Sequence, residues 1–142
     1  MQPYIRKAHF YETDQMGIVH HSNYIRWFEE ARTDFFDKIG YSYNLLEKKG
    51  ISAPLIGIEC TYKTPVEFDE TVAIHVKITE MSGVRVTMQY TAVKQETGQV
   101  STTGESRHCF TGKGGKPVFL KRICPAAFDV LLQNCPEKGR DI

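Results

Sequence analysis

The sequence predicts an α+β fold in which an antiparallel sheet of about five strands wraps around one long central helix. Two observations carry this prediction. One long segment, from Ser22 to about Ile39, has helical periodicity, and four later segments alternate between apolar and polar residues as strands do. A sheet with one apolar face has to cover that face, and the stripe of this helix is the long apolar surface available to do so.

The chain opens with a segment of mixed polarity, Tyr4 to Glu12, which we predict to be the first strand. A turn-like break follows at residues 13–17, and then the helix begins. Ser22 or Asn23 is expected to cap its start, and Gly40 stands where a left-handed stop is expected. Five apolar residues share one helix face because they are four, three, four and four positions apart: Tyr24, Phe28, Ala31, Phe35 and Ile39.

The remaining elements follow from changes in period. A short second helix is expected near residues 42–49, ending at Gly50. Alternating runs then predict strands at 56–62, 72–79 and 84–91, followed by a more polar strand at 100–110, with Ser-Gly and Thr-Gly pairs between runs at hairpin spacing. Residues 112–117 are predicted to form an exposed loop or hairpin tip, and residues 125–133 a closing helix that begins with proline.

Length and composition favour one folded domain over residues 1–142. A chain of this length buries roughly 70% of its unfolded surface, so it needs no disulfide or metal to hold it together. The 41% apolar and 25% charged residues are ordinary for such a domain, and no repeat or linker divides it. A net charge of +1 argues against a nucleic-acid binder but permits a local basic patch for an anionic ligand.

The same sequence predicts a cytoplasmic protein with no membrane contact. It has no apolar run long enough for a bilayer, and residues 1–10 have no apolar core of a signal peptide. Its four cysteines, at 60, 109, 124 and 135, form no CxxC pair and are expected to be reduced packing thiols rather than zinc ligands. Free sheet edges invite pairing with a second copy, so we expect a homodimer or a homotetramer.

The densest group of reactive side chains lies at residues 11–24, directly before the helix. It contains the carboxylate of Asp14, the flexible Gly17 and the imidazoles of His20 and His21. A helix start offers unpaired backbone N–H groups, which stabilise the oxyanion formed when a carbonyl is attacked. A carboxylate nearby serves as a nucleophile or general base, although Asp is also common simply as a turn residue. These parts suit acyl transfer.

This segment resembles the 4-hydroxybenzoyl-CoA thioesterase family, and within it the YbgC-like acyl-CoA thioesterases of the hotdog fold. The matching residues are Thr13-Asp14, Gly17-Ile18-Val19, His21, Asn23-Tyr24, and Glu29 with Ala31-Arg32. The resemblance implies hydrolysis of an acyl-CoA to a free acid and CoA.

By the same resemblance, Asp14 is the catalytic carboxylate, the backbone N–H of His21 is the oxyanion donor, and Gly17 lets the chain approach the thioester closely. Asp14 either attacks the thioester or activates a water; both routes are open at this stage. Some relatives have a tyrosine four residues before the aspartate, where this chain has Phe10. Two roles are open for Glu29: it orients the site, or it pairs with Arg32 or Arg26 on the helix.

The resemblance also implies that basic residues at the mouth of a site between subunits hold the phosphates of CoA. The candidates are Lys63, Arg85, Lys113 and Lys116. CoA is part of the substrate, so no separate cofactor and no metal are expected.

Two other functions on the same fold stay open from the sequence. One is a non-catalytic module that binds acyl-CoA, against which the retained Asp14 argues. The other is a hotdog hydratase or dehydratase, which uses an Asp–His pair; here Asp14 and His21 are seven residues apart. The acyl group itself is not readable from these residues.

Overall fold

The computed structural model describes residues 1–136. Five antiparallel strands form one sheet in the order β1-β3-β4-β5-β2. The strands are β1 Tyr4–Lys7, β2 Leu55–Tyr62, β3 Thr71–Met81, β4 Arg85–Lys94 and β5 Val100–Cys109. The helices are α1 Ser22–Ile39, α2 Tyr43–Lys48, α3 Leu120–Ile123 and α4 Pro125–Gln133, with 3-10 turns at Phe10–Glu12 and Lys113–Gly115. The predicted fold class is confirmed.

Helix α1 lies at the centre of the core, as its apolar stripe predicted. Trp27, Phe28 and Ala31 are fully enclosed, and Phe28 stacks on Tyr90 of β4 with ring centroids 4.7 Å apart. The helix ends at Gly40, whose φ of 90° confirms the expected left-handed stop. None of the helices in the described part of the chain is long and apolar enough to cross a membrane.

The predicted first strand is too long. Pairing with β3 stops at Lys7, and the chain then turns through Phe10–Glu12. The turn carries Glu12 inward, where its carboxylate is buried and hydrogen-bonded by other side chains. A longer strand would need buried and exposed side chains to alternate up to residue 12. Here the chain turns instead and buries a carboxylate whose oxygens are hydrogen-bonded.

The predicted cap at the start of α1, Ser22 or Asn23, is wrong. The Asn23 side chain donates to the carbonyl of Glu12 at 2.9 Å, and the backbone N–H of Ser22 donates to Nδ1 of His20 at 3.2 Å. His21, the residue before the helix, makes no side-chain cap hydrogen bond, and the His20 ring accepts the Ser22 N–H instead. Helix α2 does have the expected start, because Ser42 Oγ accepts the N–H of Leu45 at 3.2 Å.

Strand β2 forms one edge of the sheet and is poorly covered by the rest of the chain. Its apolar residues Ile56 and Tyr62 are 52% and 51% exposed. The sheet has two ends, which we call the Tyr62 end, where β2 finishes and β3 starts, and the Arg85 end, where β4 starts beside Cys109.

All four cysteines are free thiols, with Cys60 and Cys109 in strands as predicted.

Candidate active site

A small hairpin at the Tyr62 end carries the candidate carboxylate. Thr13 pairs with Val19, and the N–H of Asp14 donates to the carbonyl of Ile18 at 2.9 Å. The N–H of Gly17 donates back to the Asp14 carbonyl at 2.9 Å. Gly17 has a φ of 80°, which is the left-handed position of a three-residue hairpin turn. The glycine is therefore required by the turn itself.

The carboxylate of Asp14 has a local structural role. Its Oδ1 accepts the backbone N–H of Met16 at 2.8 Å, the Asx arrangement that favours aspartate at the start of a turn. Among residues 1–136, this is the one hydrogen bond of the carboxylate, and no ion pair joins it to His20 or His21. The second oxygen, Oδ2, is left for another partner.

The start of α1, directly after the hairpin, supplies a backbone N–H donor. The N–H of His20 donates to the Glu12 carbonyl at 2.8 Å, and the His20 ring accepts the N–H of Ser22 at 3.2 Å. Nδ1 of His20 also lies 2.8 Å from Ser22 Oγ. The N–H of His21 has no acceptor within the described residues 1–136. One unpaired donor thus stands at the positive end of the helix.

Aromatic rings connect this helix start to the end of β2. The His20 and His21 rings lie 4.1 Å apart, and His21 meets Tyr62 edge-on at 6.3 Å. Tyr24 lies 5.6 Å from the same Tyr62 ring. These rings form an aromatic cluster at the start of α1.

A second carboxylate, that of Glu12, lies beneath this hairpin and was not predicted. Glu12 accepts two hydrogen bonds from the Arg6 guanidinium at 2.9 Å, one from the Trp27 indole at 2.9 Å and one from the N–H of His9 at 2.8 Å. Burial alone would raise the pKa of Glu12, but the donors His9, Trp27 and Arg6 hold it below its ordinary value. No spacing rule predicts such a contact, since it joins a strand, a turn and a helix.

Glu29 makes neither of its expected helix pairs. Arg32 turns inward and donates to the hydroxyl of Tyr43 at 2.8 Å and that of Tyr90 at 3.0 Å. Glu29 itself is exposed. The carboxylate that ties α1 to β1 is instead Glu30, which accepts from Arg6 at 2.8 Å.

The predicted CoA-binding residues fall into two groups. Lys63 follows β2 at the Tyr62 end, near the hairpin. Arg85, Lys113 and Lys116 are exposed at the opposite end of the sheet. Strand β4 has ten residues, and at about 3.4 Å each its ends are roughly 30 Å apart. One copy of the chain does not bring these groups together. The described residues also contain no group of three or more His, Cys, Asp or Glu side chains that could hold a metal ion.

Comparison with known proteins gives consistent matches over most of the chain. A family model described as "Thioesterase-like superfamily" matches residues 8–131. The "Putative esterase" of Aquifex aeolicus (strain VF5) is 36% identical over 119 residues, 84% of this chain and 91% of that protein. The "Putative acyl-CoA thioesterase YneP" of Bacillus subtilis (strain 168) is 33% identical over 120 residues, 84% of this chain and 86% of that protein. The structure of a DHNA-CoA thioesterase from Staphylococcus aureus superposes with a TM-score of 0.88 at 30% identity, over 93% of this chain and 89% of that one.

Proposed function

The chain belongs to the thioesterase-like superfamily and has the hotdog fold, and from that premise we propose that it hydrolyses an acyl-CoA to a free acid and CoA. The observation that carries the proposal is local. A carboxylate oxygen of Asp14 and the N–H of His21 lie on the two arms of one hairpin, and neither has a partner among the described residues.

In the proposed reaction, the N–H of His21 receives the thioester oxygen as it gains negative charge. The positive end of α1 strengthens this interaction at the moment of attack. Oδ2 of Asp14 either takes a proton from the attacking water or attacks the carbonyl to give a mixed anhydride, which water then opens. In both routes the C–S bond breaks, CoA leaves as the thiolate and takes up a proton, and one water is consumed.

Gly17 supports this chemistry through its backbone. A β-carbon at this position would meet nothing within 4 Å inside the chain, so the space beside the turn is open. That open space lies on the hairpin that carries Asp14, and it is where a thioester would have to approach.

The CoA moiety calls for a second copy of the chain. The edge strand β2 is the natural place for it, because Leu55, Ile56 and Tyr62 expose apolar surface there and the strand has a free edge. Pairing two copies of β2 about a two-fold axis makes the strands antiparallel. The Arg85 end of one sheet then lies beside the Tyr62 end of the other. Lys63 and the basic residues Arg85, Lys113 and Lys116 come from different copies in this arrangement.

The proposal is tested with a panel of aliphatic and aromatic acyl-CoAs while thiol release is followed. Wild type should release thiol from at least one of them, and Asp14→Asn should lose most of that rate. The matched control is Asp69→Asn, at an exposed aspartate in a different turn, because asparagine tolerates the φ of 72° found there. If Asp14→Asn is as fast as wild type, the assignment of the carboxylate fails while the activity stands.

The same panel separates the two alternatives. A binding module would retain acyl-CoA in equilibrium dialysis and release no thiol. A hydratase or dehydratase would change the absorbance of an enoyl-CoA or β-hydroxyacyl-CoA with the thioester intact.

A further inference from the structure

Glu12 binds both halves of the hairpin to the core. Its carboxylate is 4% exposed, and its two oxygens take the four hydrogen bonds from Arg6, His9 and Trp27, which exhausts their capacity as acceptors. The Arg6 guanidinium also lies over the Trp27 ring, 5.2 Å from its centroid, so the ion pair is enclosed on that side. The position of residue 12 is therefore fixed relative to β1 and α1.

The carbonyl of the same residue closes the base of the hairpin. It accepts the N–H of His20 at 2.8 Å and the side-chain N–H of Asn23 at 2.9 Å. Asp14 is two residues beyond this anchor on one arm, and His21 is one residue beyond it on the other. A shift of residue 12 would alter the distance between the Asp14 carboxylate and the His21 N–H.

We infer that Glu12 is a positioning residue, which sets the distance between the Asp14 carboxylate and the His21 N–H and thereby the rate of the chemical step. The inference rests on the proposed thioesterase reaction. Reacting groups must be held to about 0.5 Å, and a displacement of about 1 Å costs roughly 100-fold in rate. Glu12 touches neither the open space beside Gly17 nor Lys63, so its effect falls on turnover rather than on substrate binding.

The test variant is Glu12→Gln, which keeps the size of the side chain. Its amide nitrogen brings donors to a place where Arg6 and either His9 or Trp27 already donate, so the two donor groups repel and the residue shifts. Turnover should fall roughly tenfold to hundredfold with KM nearly unchanged. In the Asp14→Asn background the same substitution should add little, because the carboxylate that it positions is gone.

Glu30→Gln is the matched control. Glu30 is the second carboxylate bound by Arg6, with Nε 2.8 Å away, but it lies on α1 and makes no contact with the hairpin. It removes one carboxylate from the same arginine, so a general loss of stability would appear in both variants. Turnover of Glu30→Gln, measured on the folded fraction, should remain within about twofold of wild type.

Hydrogen exchange of the backbone amides supplies a readout that needs no substrate. The amide of His20 should exchange faster in Glu12→Gln than in wild type and not in Glu30→Gln. Unchanged exchange at His20, or an equal loss of turnover in the two variants, overturns the inference. If wild type cleaves no acyl-CoA, the proposed function fails, and the inference about turnover fails with it even where exchange reveals the anchor.

Discussion

His108 accepts a hydrogen bond from the hydroxyl of Ser106 at 2.8 Å, inside the core behind α1. The other ring nitrogen, Nδ1, lies 3.0 Å from the carbonyl of Ala53, an acceptor only, so Nδ1 carries the proton. The Ser106 hydroxyl in turn lies 2.6 Å from that of Tyr90, to which Arg32 donates at 3.0 Å. The donors run in one direction from Arg32 to Ala53, and this order requires a neutral imidazole.

Stability should therefore fall in mild acid. Burial, and then the Arg32 charge, lower the pKa of His108 from 6.5 to about 4. Between those pH values the unfolded chain binds a proton that the folded chain does not, so the free energy of unfolding drops as pH falls, by about 1.4 kcal/mol per pH unit. Urea unfolding at pH 7.5, 6.0 and 5.0 measures this slope. His108→Gln should flatten it, whereas the exposed His75→Gln should leave it unchanged; equal slopes for both variants would remove His108 as the cause.

Gly104 is predicted to be a packing requirement of the sheet. A β-carbon there would lie 2.5 Å from the Phe28 ring and 3.0 Å from the Glu59 carbonyl. Gly104→Ala should lower the free energy of unfolding by about 1–3 kcal/mol, because neither the buried ring nor the backbone can move away. Gly57→Ala on the neighbouring strand is the control, since its β-carbon meets the flexible end of Arg107. The two variants should separate in urea midpoint; matching midpoints would mean that Phe28 repacks freely.

The contrast between these residues indicates what a sequence of this kind can predict. The bounds of α1 follow from the stripe of Tyr24, Phe28 and Ala31, because helical periodicity is a local property. The strands follow from alternation for the same reason. Helix α3 has four residues, too few for a period to be recognised.

The candidate site was only partly predictable. The hairpin around Asp14 and the glycine at its left-handed position are encoded locally. Glu12 and the inward turn of Arg32 depend on residues as far as 58 positions away in sequence, which no local pattern reports. The same is true of Arg85, whose place at the end of the sheet opposite Tyr62 depends on how β4 pairs with β5.

Two roles of Gly17 can be separated by substitution: its left-handed backbone conformation and the close approach of the thioester. Gly17→Ala forces a β-carbon into a φ of 80° and should cost about 1 kcal/mol of stability and reduce turnover, since the turn relaxes and carries Asp14 with it. Gly17→Asn accepts that φ, so it should recover turnover if backbone conformation is the requirement. If Asn is as slow as Ala, close approach of the thioester is the requirement instead. Gly50→Ala, with a φ of 76° at the end of α2, controls for the strain alone and should leave turnover unchanged.

The last prediction concerns assembly of two copies through β2. Ile56 is 52% exposed on this edge strand, and in a β2–β2 pair it would lie at the contact between the two copies. Ile56→Lys places a charge in this apolar contact on each copy and should dissociate the assembly, as sedimentation velocity would record. Acyl-CoA turnover should fall with it, since Lys63 and the Arg85 group would no longer meet.

Ile5→Lys is the matched control for that experiment. Ile5 is 47% exposed and lies on β1, the edge at the opposite side of the same sheet. The substitution adds the same charge to the same type of residue, so any general effect on folding or solubility is shared. If Ile5→Lys dissociates the protein and Ile56→Lys does not, the copies meet along β1. In that case the basic residues of one copy would lie far from the Asp14 hairpin of the other, and the proposed CoA-binding groups would have to be abandoned.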